Sequence, residues 1–421
     1  MKSHPKYKYP SLRQLGPGLI TGAADDDPSG IATYSQAGAQ FGLNMLWTVV
    51  LTYPLMVGIQ IVSARIGVVT GKGLAANMRD LLPRWLCLSI IFLFVIANTI
   101  NIAADIAAMG EALQLMVGGG EHGHAIVFGI TSLLLQVFIP YNRYLRVLKW
   151  LTLSLLAYVA VVFMVHIPWQ QVAVYTFLPH ITLSKDYITV VVAVFGTTIS
   201  PYLFFWQASQ EVEEIRRNIH LKPLLQSAKN AHTELRRVKF DTYIGMGFSN
   251  LVAYSIILST AVTLHTAGIT QIETSSQAAE ALRPLAGQMT FILFSLGIIG
   301  TGMLAVPVLA GSAAYAVAEC FDWPEGLDKK ALAAKEFYAI IGLATLGGVL
   351  LDFTSIDPVK GLFWSAVING IIAIPIMAIM MLMAVKPETM GVFTIKKKLH
   401  ILGWTATAMM LIAVVAMFYY W

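Results

Sequence analysis

The sequence predicts an all-α membrane protein in which five spanning helices are followed by five more in inverted orientation, with an eleventh helix outside the repeat. Three observations carry this reading. The 421 residues are 57% hydrophobic and only 12% charged, with a mean hydropathy of +0.69, whereas soluble domains carry about 25% charged residues. Eleven apolar segments are long enough, or nearly so, to cross a bilayer as helices. Two of these, the first and the sixth, are interrupted midway by residues that do not continue a helix in hydrocarbon.

The segments cover about 16–41, 44–64, 85–117, 125–140, 147–166, 188–210, 242–264, 288–319, 337–351, 361–384 and 399–421, the fourth and ninth being the shortest. With the N-terminus in the cytoplasm and strict alternation, all 28 Lys and Arg fall on the inner side except Lys185, Arg283 and Lys360. The inner set includes Lys2, Lys6, Lys8 and Arg13 at the start and Arg143, Arg146 and Lys149 between the fourth and fifth spans. Such a bias is the positive-inside rule, and one missed span would scramble it. The C-terminus then lies outside and ends in Phe418, Tyr419, Tyr420 and Trp421, aromatic residues suited to the membrane interface. Met1 to Arg13 is polar and basic with no small-residue cleavage site after it, so a removable signal peptide is not expected.

The net charge of +5 lies in loops flanking the membrane and is read as topological, which argues against nucleic acid as a partner. Cys87 and Cys320 sit in or beside apolar segments, so no disulfide framework is expected. The inner loop from Glu211 to Asp241 is polar and basic, and the outer loop from His265 to Gly287 reads as a small amphipathic helix around Ser275–Leu285. Neither is the size of a domain. One transport domain is expected over 1–421, with repeat one at about 16–166, repeat two at about 188–384 and the extra helix at about 399–421.

The first break is Gly22-Ala23-Ala24-Asp25-Asp26-Asp27-Pro28-Ser29-Gly30. Each acid costs roughly 2.5–3.5 kcal/mol at the centre of a membrane helix. Pro28 lacks an N–H, and irregular backbone at that depth is tolerated only when buried in protein or lining a cavity. The second break is Gly196-Thr197-Thr198-Ile199-Ser200-Pro201-Tyr202, followed by Gln207 and Gln210. Each break opens a block of five spans. Five is odd, so the second block is inserted upside down, and transporters of this layout hold their substrate at the midplane between the breaks. The arrangement is LeuT-like, with helices 1 and 6 broken at the midplane.

Asp27, beside the break, is the expected cation ligand. Asp26 and Asp25 point elsewhere, because neighbours on a helix lie about 100° apart. The competing reading makes Asp27 a helix cap that satisfies free N–H groups. At the second break the Ser200 hydroxyl and the carbonyl freed by Pro201 are hard oxygen donors; the competing reading is a proline kink whose hydroxyls bond to their own helix. Ser29, Asp26, Tyr202, Gln207 and Asn369 are placed around the cavity. Glu211, Glu213 and Glu214 read as a solvated helix end beside Arg216 and Arg217, and His122 and His124 as an outer solvent-facing loop.

Asp27-Pro28-Ser29-Gly30 resembles the Asp-Pro-Gly-Asn motif on the first helix of the Nramp family of divalent metal transporters. The run from Ala64 to Ala75 is similar to that family's loop after helix two, and Ala278 to Gly287 to its stretch before helix eight. The resemblance covers most of the chain and implies that backbone carbonyls at Ala24 and Thr197 join Asp27 in binding metal. It also implies residence in a bacterial inner membrane.

The departures are informative. The family's sixth-helix Met-Pro-His falls on Ser200-Pro201-Tyr202, and its first-helix asparagine falls on Gly30. One thioether and one amide are absent, and a wider pocket is expected at Gly30. Thioethers favour soft metals, and oxygen with water suits Mg²⁺ or Mn²⁺; Mg²⁺ dehydrates reluctantly and keeps several waters. The chain is most similar to the Nramp-related magnesium transporter branch. Asp105 matches one acid of the family's proton route, but the second falls on Ala108, and Glu111, six residues past Asp105, lies on another face. The histidine falls on Tyr202, and the arginine pair of helix nine has no counterpart, because 337–351 carries no charge. The expected function is inward transport of Mg²⁺, with Mn²⁺ accepted, by alternating access and without obligatory proton coupling. No cofactor is implied, and no nucleophile–base pattern points to an enzyme. The rivals are a proton-coupled Mn²⁺/Fe²⁺ importer and a sodium-coupled amino-acid symporter on the same scaffold.

Overall fold

Prolines set the helix starts that matter most. In the computed structural model, which describes residues 16–139, 153–218, 221–353 and 357–421, the first span is two helices, α1 (Pro17–Asp25) and α2 (Pro28–Phe41). The second is α3 (Leu46–Thr70), which ends where Gly71 turns left-handed at φ 67°. A short helix, α4 (Leu74–Leu81), precedes α5 (Arg84–Val117), the third span, and α6 (Glu121–Phe138), the fourth. Then come α7 (Leu156–Met164), within the expected fifth span, and α8 (Trp169–Phe177). The sixth span is again two helices, α9 (Lys185–Thr198) and α10 (Pro201–Arg217).

The second half continues with α11 (Ala231–Thr260), the short outer helices α12 (Ser275–Ala279) and α13 (Arg283–Ala286), and α14 (Thr290–Phe321). It ends with α15 (Lys335–Leu351), α16 (Pro358–Val385), a single turn α17 (Pro387–Met390) and α18 (Lys397–Tyr420). Among the described residues, seven helical stretches are long and apolar enough to cross a membrane, and one of them, Pro28–Thr70, joins the second half of the first span to α3. The expected basic residues Lys2, Lys6, Lys8, Arg13, Arg143, Arg146 and Lys149 lie outside the described residues.

Several boundaries differ from expectation. Residues 211–241 are largely helical, because α10 runs on to Arg217 and α11 begins at Ala231. Glu211 and Glu213 are not a solvated end: both are fully buried. Glu211 pairs with Arg237 at 2.6 Å. Glu213 meets Arg217 and the Tyr315 hydroxyl and accepts from the Leu327 N–H at 2.7 Å. His122 and His124 occupy the first turn of α6 and not a loop, with His122 Nδ1 2.9 Å from Asp352.

Ahead of the first break, α1 lies against α11. Glycines make that contact possible: a Cβ on Gly22 would run into the Gly245 carbonyl, and one on Gly245 into that of Gly18. Asp241 of α11 caps α1, accepting from the N–H groups of Gly16 at 3.0 Å, Gly18 at 2.7 Å and Leu19 at 3.1 Å. On the opposite side a cavity of about 460 Å³ lies beside α2, between the first turns of α9 and α16. Gln36, Asp186, Glu273 and Lys360 line it, and Trp421 sits on its rim with Lys185 Nζ 4.0 Å above its ring.

Candidate metal centre

The two breaks have the same construction. Each has an extended residue followed by proline at the first position of the next half-helix: Asp27 (ψ 170°) before Pro28, and Ser200 (ψ 132°) before Pro201. Proline there costs nothing, because that N–H has no helical partner. Asp27 caps the second half-helix and still turns one oxygen inward. Its Oδ1 caps α2, accepting from Gly30 N at 2.7 Å and Ser29 Oγ at 2.9 Å. Its Oδ2 faces the interior, with Asn101 Nδ2 at 3.0 Å and the Tyr202 hydroxyl at 3.5 Å. The carboxylate is 1% exposed.

The expected carbonyls and hydroxyls are present but already engaged. Tyr202 donates to Ala24 O at 3.0 Å. Ser200 Oγ lies 2.8 Å from both Gly196 O and Thr197 O, so the hydroxyl is bonded back to its own helix. Gly30 does not open a space: a Cβ there would lie 3.2 Å from Thr197 Oγ1 and 3.3 Å from Asp25 O. The two breaks close on each other at this point, and the room expected from the missing side chain is occupied by Thr197. Tyr34 of α2 adds a second tie, 3.0 Å from Thr198 Oγ1.

Asp25, the last residue of α1, and Asp26, which follows it outside helical geometry, both turn toward α11 and away from Asp27. Both meet the Ser249 hydroxyl, Asp26 at 3.1 Å, and each keeps one oxygen with no partner. Asp105 is fully buried and neither oxygen is hydrogen-bonded. Among the described residues none of these four buried carboxylates has a basic partner, and burial of that kind is met by a bound cation or by a proton. Among the described residues no three His, Cys, Asp or Glu side chains converge as a metal-holding group. A cation at Asp27 is therefore left to carbonyl, hydroxyl and amide oxygens and to water.

The remaining expected residues scatter. Gln207 lies inward of the break and donates to Thr242 Oγ1 at 2.9 Å, outside the Asp27 cluster. Asn369 is 1% exposed with both amide atoms unpartnered, one turn from Ser365. Glu111 holds the outer helix α12, accepting from Ser275 N at 3.0 Å and Ser275 Oγ at 2.8 Å.

Sequence reasoning missed Asn101, Ser249 and Asp241, and singled out Ser365 only as a polar group near Asn369 on the tenth span. For Asn101 a signal exists: Asn98, Asn101 and Asp105 recur at three and four residues, a polar stripe on an apolar helix. Ser365 Oγ lies 2.6 Å from Asn101 Oδ1, so α16 braces the amide that holds Asp27.

The fold is similar to that of a manganese transporter from Eremococcus coleocola, solved with an aromatic bis-isothiourea compound. The TM-score is 0.73 at 16% identity, over 96% of this chain and 86% of that one. It is also similar to MhsT in complex with L-phenylalanine, with TM-score 0.60 at 12% identity over 98% and 100%. The LeuT-like inverted repeat is thus the architecture. A relative from Acidiphilium cryptum named divalent metal cation transporter MntH is 27% identical over 83% of this chain and 81% of its own length. A relative of the same name from Aeromonas hydrophila is 28% identical over 81% and 84%. The family model for natural resistance-associated macrophage protein-like proteins, Nramp, matches residues 18–420, and the chain belongs to that family.

Proposed function

We propose that the chain is an importer of divalent cations that carries Mg²⁺, accepts Mn²⁺, and works by alternating access without obligatory proton coupling. The observation that carries this reading is the set of buried carboxylates at Asp25, Asp26, Asp27 and Asp105, none with a basic partner among the described residues, together with the lack of a thioether at the break. Asp27 supplies the charge. The carbonyls of Ala24 and Thr197 and the Ser200 hydroxyl contribute oxygens once the hydroxyl protons now held by the carbonyls swing away. Retained waters complete a shell suited to a hard ion. Gly30 lets the two breaks approach, and Ser29 and Tyr202 steady Asp27. The relatives named as MntH divalent metal cation transporters support the ion class.

The whole chain acts as one transport domain, with the N-terminus cytoplasmic and the C-terminus outside in a bacterial inner membrane. The charge bias of the loops supports that orientation. Opening to the cytoplasm requires α1 to leave α11, breaking the Asp241 cap; opening to the outside connects the vestibule above α2 to the break. Proton coupling is left out because Glu111 is committed to α12 and Ala108 stands where a second acid would be.

The test is flux in proteoliposomes, comparing Mg²⁺, Mn²⁺ and Ca²⁺ with internal pH followed throughout. Asp27→Ala should abolish Mg²⁺ uptake, and internal pH should stay flat while wild type transports. Undiminished Mg²⁺ uptake by Asp27→Ala removes the centre of the proposal. Sustained acidification driven by the metal gradient replaces it with a proton-coupled Mn²⁺ importer, an ion that the manganese transporter from Eremococcus coleocola also carries by name.

A further inference from the structure

We infer that Asn101 on α5 is itself a metal ligand, entering the shell by a half-turn of its side-chain amide. The inference rests on the divalent-cation reading of Asp27. As the structure stands, Asn101 Nδ2 donates to Asp27 Oδ2 at 3.0 Å and Asn101 Oδ1 lies 2.6 Å from Ser365 Oγ. The amide thus presents its positive end to the carboxylate, the arrangement an ion-free site favours. A divalent cation arriving at Asp27 reverses the local field, and the N–H is then repelled. Rotation about the last torsion of asparagine is broad and roughly two-fold, so turning the carbonyl oxygen inward needs no backbone movement.

Ser365 makes both orientations equally satisfied. Its hydroxyl has one proton and two acceptors in reach, Asn101 Oδ1 at 2.6 Å and Leu362 O at 2.7 Å. With Oδ1 toward it, the hydroxyl donates to the amide. With Nδ2 toward it, the hydroxyl accepts from the amide and donates to Leu362 O. Neither state strands a buried polar atom, and an orphan would cost about 1–3 kcal/mol. Asn101 and Ser365 are both buried, so water does not take over the exchange.

The turned amide brings a hard oxygen to the pocket from the third span. The asparagine whose absence at Gly30 is plain in the sequence is thereby replaced from α5. Because α5 carries no break, this ligand belongs to the part of the bundle that does not hinge.

The experiment uses the full chain in proteoliposomes, with KM measured for Mg²⁺, Mn²⁺ and Cd²⁺. Asn101→Ala should raise KM for Mg²⁺ by about 10- to 100-fold, a range typical of disturbed metal sites, and raise KM for Cd²⁺ much less, since a soft ion values the lost oxygen least. Equal rises for all three ions would mean that Asn101 only positions Asp27, and would overturn the ligand role. Asn101→Asp covers the case in which the alanine variant fails to fold. It keeps hard oxygens but cannot donate to Asp27, so a ligand role retains Mg²⁺ uptake and a donor-only role loses it. If Asp27→Ala is inactive while Asn101→Ala keeps wild-type KM for all three ions, the Asp27 site stands and the Asn101 inference falls. If Asp27→Ala transports normally, both fall.

Discussion

Replacing Asp241 with alanine should unlatch α1. Three N–H groups, of Gly16, Gly18 and Leu19, converge on that one carboxylate at 2.7–3.1 Å. When α1 is docked and the carboxylate is gone, these donors lose their partner; when α1 swings into water, solvent satisfies them. A lost N-terminal cap together with its interaction with the helix dipole is worth about 2 kcal/mol, close to 30-fold in a two-state equilibrium. Gly18, Gly22 and Gly245 offer no interlocking side chains to compensate. The assay is thiol labelling from the cytoplasmic side of a cysteine at Thr242, which is fully buried at this contact, with Cys87 and Cys320 changed to serine. The labelling rate should rise roughly 30-fold with Asp241→Ala, and by an intermediate amount with Asp241→Asn. A rate within twofold of the parent would refute the latch.

Other substitutions test neighbouring parts of the argument. Ser200→Met restores a thioether at the break and should move preference from Mg²⁺ toward Mn²⁺ and Cd²⁺ in competition uptake; an unchanged order would remove Ser200 from the ligand set. Tyr202→Phe frees the Ala24 carbonyl, and should lower KM for Mg²⁺ while slowing release, which steady-state uptake separates. Gly22→Val forces a side chain into the Gly245 carbonyl; overpacking of this kind costs about 1–3 kcal/mol, and thermal unfolding in detergent should show the lower midpoint.

The fold was legible because hydrocarbon punishes exceptions. Asp27 announces itself in an apolar run, and Pro28 and Pro201 mark where each helix must restart. Asn101 gave a weaker signal, since a neutral amide costs less in a membrane helix and its partner lies 74 residues away. Glu211 was misread for the same reason of distance: Arg237, which lets it stay buried, is 26 residues on. Gly30 taught a different lesson. A missing side chain reads as empty space along a chain, whereas in three dimensions Thr197 arrives from the other repeat to fill it.

The acids of the first break also bear on how the protein is made. Asp25 and Asp26 share the hydroxyl of Ser249, 224 and 223 residues later. At a synthesis rate of about 5–20 residues per second, that partner appears about 11–45 s after the acids leave the ribosome. The first segment is therefore a poor passenger for co-translational insertion, and its final seating waits for α11. Cells that slow elongation between the two, or that lack the proteins which shelter half-inserted helices, should accumulate chains with this segment stranded at the membrane surface and open to proteolysis.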